Sequence, residues 1–106
     1  MVILKDEIVK TEILIKAQGL FQIYGLKKTT MDEIALACGK AKSTLYHYFK
    51  SKEEVFDAVI NLEITSLRRT VKRKVEEGKT LKEKVLNYFI TFHKEAFHKI
   101  NLYRVV

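Results

Sequence analysis

The chain has 106 residues, of which 47% are apolar and 31% charged, with one cysteine, four glycines and no proline. That composition fits one globular domain or a piece of a larger protein rather than a disordered chain, excludes an internal disulfide and disfavours a turn-rich β fold. The net charge of +7 points towards an anionic partner, yet residues 1–61 hold nine lysines against eight acids and residues 62–106 eleven basic residues against five.

No apolar run approaches the roughly 18 residues that a membrane span needs. The start, Met1 to Glu7, lacks the basic end and long apolar stretch of a signal peptide. With a single thiol, Cys38, the chain reads as cytoplasmic.

Glycines and capping residues divide the sequence into five helices, an all-α chain. The first runs from about Leu4 to Tyr24, with Ile13, Ala17, Leu20, Phe21 and Tyr24 on one helical stripe and Gly25 as its stop. Gly19 inside it costs ~1 kcal/mol relative to alanine, and close packing of another helix is one explanation. Thr30 and Glu33 form a capping box for a second helix, which turns Ile34, Ala35 and Cys38 inward and ends at Gly39. A third, about Lys42 to Tyr48, buries Leu45 and leads into Phe49.

Ser51 and Glu54 box the start of a long fourth helix, with Val55, Phe56, Val59, Ile60, Ile64, Leu67, Val71 and Val75 along its apolar side and a stop near Gly78. Thr80 and Glu83 open a fifth, where Val85, Leu86, Phe89, Ile90, Phe97 and Ile100 continue the pattern. The chain then ends at Tyr103-Arg-Val-Val106 without a terminal cap, which is expected of a natural chain cut short.

The segment Thr30 to Phe49 carries the functional signal. Two short helices joined at a glycine form a helix-turn-helix pattern, and the second leaves Lys42, Ser43, Thr44, Tyr46 and His47 off its apolar face. Cys38 to Lys52 holds four lysines and no acid, so the local charge is favourable even though the whole reader is nearly neutral.

These residues resemble the TetR/AcrR family of bacterial transcription regulators. Ala17-x-x-Leu20-Phe21-x-x-x-Gly25 is similar to the end of that family's first helix, and Thr29-Thr30-Met-Asp-Glu-Ile34-Ala35 to its second. Thr44-Leu45-Tyr46-His47-Tyr48-Phe49-Lys50-Ser51-Lys52-Glu53 resembles its third helix and the approach to the fourth. The likeness covers about residues 8–60; beyond that it is helical character alone.

Two positions depart from the family pattern. Lys40 stands where an apolar residue usually packs under the turn, and Ala41 where a serine or threonine often caps the recognition helix. An absent cap costs ~1 kcal/mol, so that helix is expected either to start later, with Ser43 offering a hydroxyl, or to keep a loose first turn. Lys40 is expected to lay down its stem and turn its ammonium outward.

The resemblance implies a helix-turn-helix DNA-binding domain over residues 1–52. Residues 53–106 then begin a helical ligand-binding and dimerisation domain that is incomplete here. It also implies a repressor that binds a palindromic operator in double-stranded DNA as a homodimer and is released by a small-molecule inducer. The family's main dimer helices lie nearer its C-terminus.

In such a motif the N-terminal end of the second short helix meets base edges. Lys42, Ser43 and Thr44 occupy that end, where lysine can donate to guanine and threonine offers a hydroxyl and a methyl. Tyr46 could serve as a core tyrosine with a wet hydroxyl, but the family resemblance implies a DNA contact. His47 stays open between phosphate ligand and bystander. Lys52 and Thr30, each at a helix start, can hold phosphates, though Thr30 is also a sufficient simple cap.

Leu45, Phe49 and Tyr48 read as packing, and Cys38 as a small apolar residue. The run Arg68-Arg69-Thr70-Val71-Lys72-Arg73-Lys74 reads as a solvated face, because Val71 and Val75 bury the opposite side.

Nothing points to catalysis or a cofactor. His93 and His98 are five residues apart, off the spacing of a helical zinc pair, and no glycine-rich phosphate loop is present. Two further readings remain open. One is a helix-turn-helix fold used as a protein-interaction module. The other is a non-specific nucleic-acid binder working through the basic fourth helix.

Overall fold

Ile13, Ala17 and Phe21 recur every four residues, and all three are fully buried. They belong to the first of five helices in the computed structural model, which describes residues 4–103. The helices are α1 (Lys5–Lys28), α2 (Met31–Cys38), α3 (Lys42–Tyr48), α4 (Lys52–Glu77) and α5 (Leu81–Leu102), with no strand among the described residues. The expectations about the first residues of the chain and the missing final cap fall on residues 1–3 and 104–106, outside that range.

Two compact units divide inside α4. One contains the residues up to Ile60 together with Tyr103, and the other is Asn61–Leu102. The first unit has one core, in which Ile13, Ala17 and Phe21 of α1 meet Met31, Ile34 and Ala35 of α2, Leu45, Phe49, and Val55 and Val59 of α4. Each large aliphatic or aromatic side chain so buried contributes ~1.5–3 kcal/mol. Phe21 and Phe56 meet edge to face, 5.1 Å apart at 87°, a geometry that adds ~0.5–1.5 kcal/mol beyond burial.

Gly25 breaks α1 after Tyr24. Its φ of 83° and ψ of 165° lie in a region essentially confined to glycine. The broken turn is closed by Thr29, whose N–H and hydroxyl both donate to the Gly25 carbonyl, at 3.2 and 2.7 Å. Thr29 is thereby fully buried and satisfied. Tyr24, expected on the inward stripe, is exposed, because the chain changes direction immediately after it.

All three capping boxes form. The hydroxyls of Thr30, Ser51 and Thr80 accept from the N–H of Glu33, Glu54 and Glu83 at 3.1–3.2 Å. The return bond differs from the usual pattern: Thr30 and Thr80 donate their hydroxyls to the glutamate carboxylates, while Glu54 accepts from the Lys50 N–H at 2.6 Å.

In the second unit the end of α4 and α5 run antiparallel. Asn87 donates to the Lys74 carbonyl at 2.8 Å, and further along Lys99 pairs with Glu63 at 3.0 Å. Glu63 is buried, and its carboxylate oxygen is satisfied by the Lys99 ammonium inside a helix contact. Val71 is buried, but the stripe expected to pack along α5 is not: Leu86, Phe89, Ile90, Phe97 and Ile100 are all exposed, and no described residue of α5 is buried. The periodicity is that of an amphipathic helix whose apolar face is uncovered by the described residues.

The expectation that Gly19 admits a close neighbour fails. A Cβ built there meets no atom within 4 Å. Gly19→Ala is therefore expected to raise stability by about 1 kcal/mol, whereas Gly25→Ala should lower it by roughly 1–3 kcal/mol. Urea unfolding followed by circular dichroism checks both signs in one series.

Candidate nucleic-acid interface

Gly39 sets the turn on which the site is built. It takes the left-handed conformation (φ 66°, ψ 32°). Its N–H bonds the Leu36 carbonyl at 3.1 Å, and the Lys40 N–H bonds the Ala35 carbonyl at 3.0 Å. This pair of bonds is the Schellman arrangement, and it satisfies two carbonyls that the end of α2 would otherwise orphan.

Lys40 then lies back over α1, where its ammonium pairs with Glu12 at 3.1 Å while its side chain is only 22% exposed. The stem fills the place of the apolar residue expected here. The ammonium does not turn outward to solvent but ends on a carboxylate.

α3 starts at Lys42, no later than a capped helix would. Ala41 supplies extended backbone and no side-chain cap. The helix is held from beneath by Leu45, 1% exposed, and by Phe49 just past its end. Tyr48 sits partly buried against the core and donates its hydroxyl to Asp6 at 2.9 Å. That bond, more than burial, holds the phenol above its ordinary pKa.

The opposite side of α3 is open. Ser43, Tyr46 and His47 are exposed and Thr44 is half-buried. Lys42 and Tyr46 also face a concavity of about 300 Å³ whose lining includes Thr30, Asp32 and Lys52. Four of the seven candidate residues thus surround one recess. Ser43, Thr44 and His47 lie outside it on the same helix.

Each group at the recess has a physical assignment. The Thr30 hydroxyl is engaged with Glu33, so its role in this state is that of a cap. The N–H groups of Met31 and Asp32, in the first turn of α2, have no intrahelical acceptor and point out of the helix end. Lys52 donates to the Lys27 carbonyl at 3.0 Å, which fixes its ammonium beside the recess with two protons left for another acceptor. Such a combination of helix-end N–H groups and an anchored ammonium suits an anionic oxygen such as phosphate.

Asp32 is the group the sequence reading missed. Its carboxylate pairs with Lys42 at 2.9 Å, and the Lys42 ammonium stands 5.9 Å from the centre of the Tyr46 ring. The hydrogen bond to Asp32 chiefly holds the Lys42 pKa above the ordinary lysine value, so the ammonium is charged at neutral pH. Both partners are more than half exposed, so this is a weak surface pair that a competing anionic or hydrogen-bonding group can open. Of the four lysines counted between Cys38 and Lys52, two therefore carry acids brought in from α1 and α2.

Fold and recess together define a helix-turn-helix protein. Residues 13–59 match the family described as bacterial regulatory proteins, tetR family. The chain is 39% identical over 69 residues to the uncharacterized HTH-type transcriptional regulator YhgD of Bacillus subtilis, a match covering 65% of this chain and 34% of that one. It is 34% identical over 79 residues to the HTH-type transcriptional regulator QacR of Staphylococcus aureus, covering 74% of this chain and 42% of QacR. With the HTH-type transcriptional repressor KstR2 of Rhodococcus jostii the identity is 43% over 51 residues, 48% of this chain and 25% of KstR2.

Among solved structures, the probable transcriptional regulatory protein RHA5900 superposes with a TM-score of 0.62 at 30% identity, over 81% of this chain and 46% of that one. Over residues 13–59 the chain carries the sequence pattern of the TetR family. The matched segment spans between 25% and 42% of the length of these three curated relatives.

Cys38 lies at the end of α2, next to this surface. Burial pushes its thiol above the usual value, against the opposing pull of Lys40 and Lys16. The thiolate is the reactive form, so Cys38 is expected to alkylate more slowly at pH 8 than free cysteine. Iodoacetamide labelling followed by mass spectrometry, with and without denaturant, checks this: unfolding should restore the free rate.

Proposed function

We propose that this chain is the DNA-reading part of a transcriptional regulator, with α3 in the major groove of a double-stranded operator. The observation that carries this reading is the recess that gathers Thr30, Lys42, Tyr46 and Lys52 beside the open face of α3. Lys42, Ser43 and Thr44 read base edges; Tyr46 and His47 reach bases or phosphate further along; Thr30 and Lys52 hold backbone phosphates. Residues 1–52 are the reader, and residues 53–106 begin the regulatory helices.

The finer roles follow the family. The protein is a repressor that acts as a homodimer on a palindromic operator in the cytoplasm. A small-molecule inducer releases it by favouring a state whose two readers misfit the half-sites. The relatives named as repressors, and the absence of any helix long and apolar enough to cross a membrane among the described residues, support this assignment.

Selection of bound duplexes from a random pool tests it. Enrichment of an inverted repeat is expected; no enrichment would move the assignment to a protein-interaction module. On the enriched site, Lys42→Ala and Thr44→Ala should each cost roughly 1–3 kcal/mol and relax preference at one base position. Lys52→Ala should weaken all sequences alike and reduce the salt slope by about 1. Steep salt dependence without sequence preference, abolished by neutralising Arg68, Arg69, Lys72 and Arg73, would instead indicate a non-specific binder.

A further inference from the structure

The second unit contains an apolar groove of about 560 Å³ between the latter half of α4 and α5. Leu67 and Val71 form one wall. Tyr88 and Phe92 form the other, their rings stacked 6.0 Å apart at 7°. The volume is that of a small-molecule site, within the range of about 300–1,000 Å³.

Its charge is one-sided. Arg68 and Lys72 stand at the lining one helical turn apart, both exposed, and neither has an ion pair among the described residues. Glu76 is the one acid in the lining, a further turn along, and it pairs with neither of them. The one buried acid of this stretch of α4, Glu63, is bonded to Lys99. Across residues 61–102 there are ten basic residues against five acids.

We propose that this groove binds an amphipathic organic anion, an apolar body carrying one carboxylate. The apolar body leaves water against Leu67, Val71, Tyr88 and Phe92. The carboxylate sits between Arg68 and Lys72, where guanidinium and ammonium supply charge-assisted hydrogen bonds and their mutual repulsion is relieved. A cationic amphiphile of the same length would add a third positive charge at the same edge. This assignment rests on the reading of residues 53–106 as the start of a ligand-receiving region, and names the chemical class received.

The test titrates the 106-residue chain, without DNA, with decanoate, decan-1-ol and decyltrimethylammonium, following the aromatic NMR signals of Tyr88 and Phe92. Decanoate is expected to shift both signals saturably and to bind about tenfold tighter than the ammonium compound. In R68Q/K72Q the decanoate advantage should fall about tenfold while decan-1-ol binding is kept. Both substituted side chains are exposed, and circular dichroism confirms that the variant is folded.

Equal or tighter binding of the cation, no saturable shift, or an unchanged decanoate affinity in R68Q/K72Q overturns the proposal. The duplex selection on the same preparation separates the two readings. Enriched DNA without decanoate binding rejects the groove assignment alone; decanoate binding without enriched DNA rejects the regulator reading alone.

Discussion

A seven-residue helix does not hold itself together in water, because nucleating a helical turn costs more than so few hydrogen bonds return. α3 exists because Leu45 and Phe49 are buried in the core that α1, α2 and α4 build around Ile13, Phe21, Ile34 and Val55. Those two anchors use one side of the rod and leave the other side free. The site is therefore the unburied remainder of a packing solution, and its orientation is as well fixed as the core beneath it. The left-handed Gly39 turn completes the constraint, since it sets the direction in which α3 leaves α2.

Charge follows a different logic from packing here. Along the sequence the stretch from Cys38 to Lys52 looks uniformly basic. In space, Glu12 and Asp32 each neutralise one of its lysines. Lys40 is held against α1 and behaves as part of the scaffold, with a half-buried stem and a satisfied head group. Lys42 is on a surface pair that competition can open. Lys52 is anchored to the Lys27 carbonyl and is in none of the ion pairs among the described residues. The three lysines differ in surroundings because of their partners, although they are chemically identical and lie within thirteen residues of one another.

The features legible in the sequence were those encoded locally. Thr30–Glu33, Ser51–Glu54 and Thr80–Glu83 place each cap within a single turn, so the spacing alone located three helix starts. Leu45 and the stripe of Ile13, Ala17 and Phe21 followed from periodicity. The open face of α3 was likewise a local pattern, because it is what remains once the residues needed for the core are placed.

What was not legible depended on residues far apart in the chain. Asp32 meets Lys42 ten positions away, Glu12 meets Lys40, and Glu63 meets Lys99 across thirty-six residues. Gly25 was read as a simple stop, but its conformation kinks the chain, which resumes a short helical turn beyond it, and Tyr24 just before the kink is exposed. The apolar stripe of α5 shows the limit of periodicity most plainly: the pattern identifies a face suited to burial and carries no information about what lies against it.

The absence of a cap at Ala41 has an evolutionary consequence. Alanine codons are one nucleotide from serine and threonine codons, so the chain sits a single base change from a hydroxyl at the head of α3. That change would rigidify the first turn and occupy a backbone donor that is otherwise free. Selection can thus trade pliancy for firmness at this end of the helix without altering any side chain on its open face.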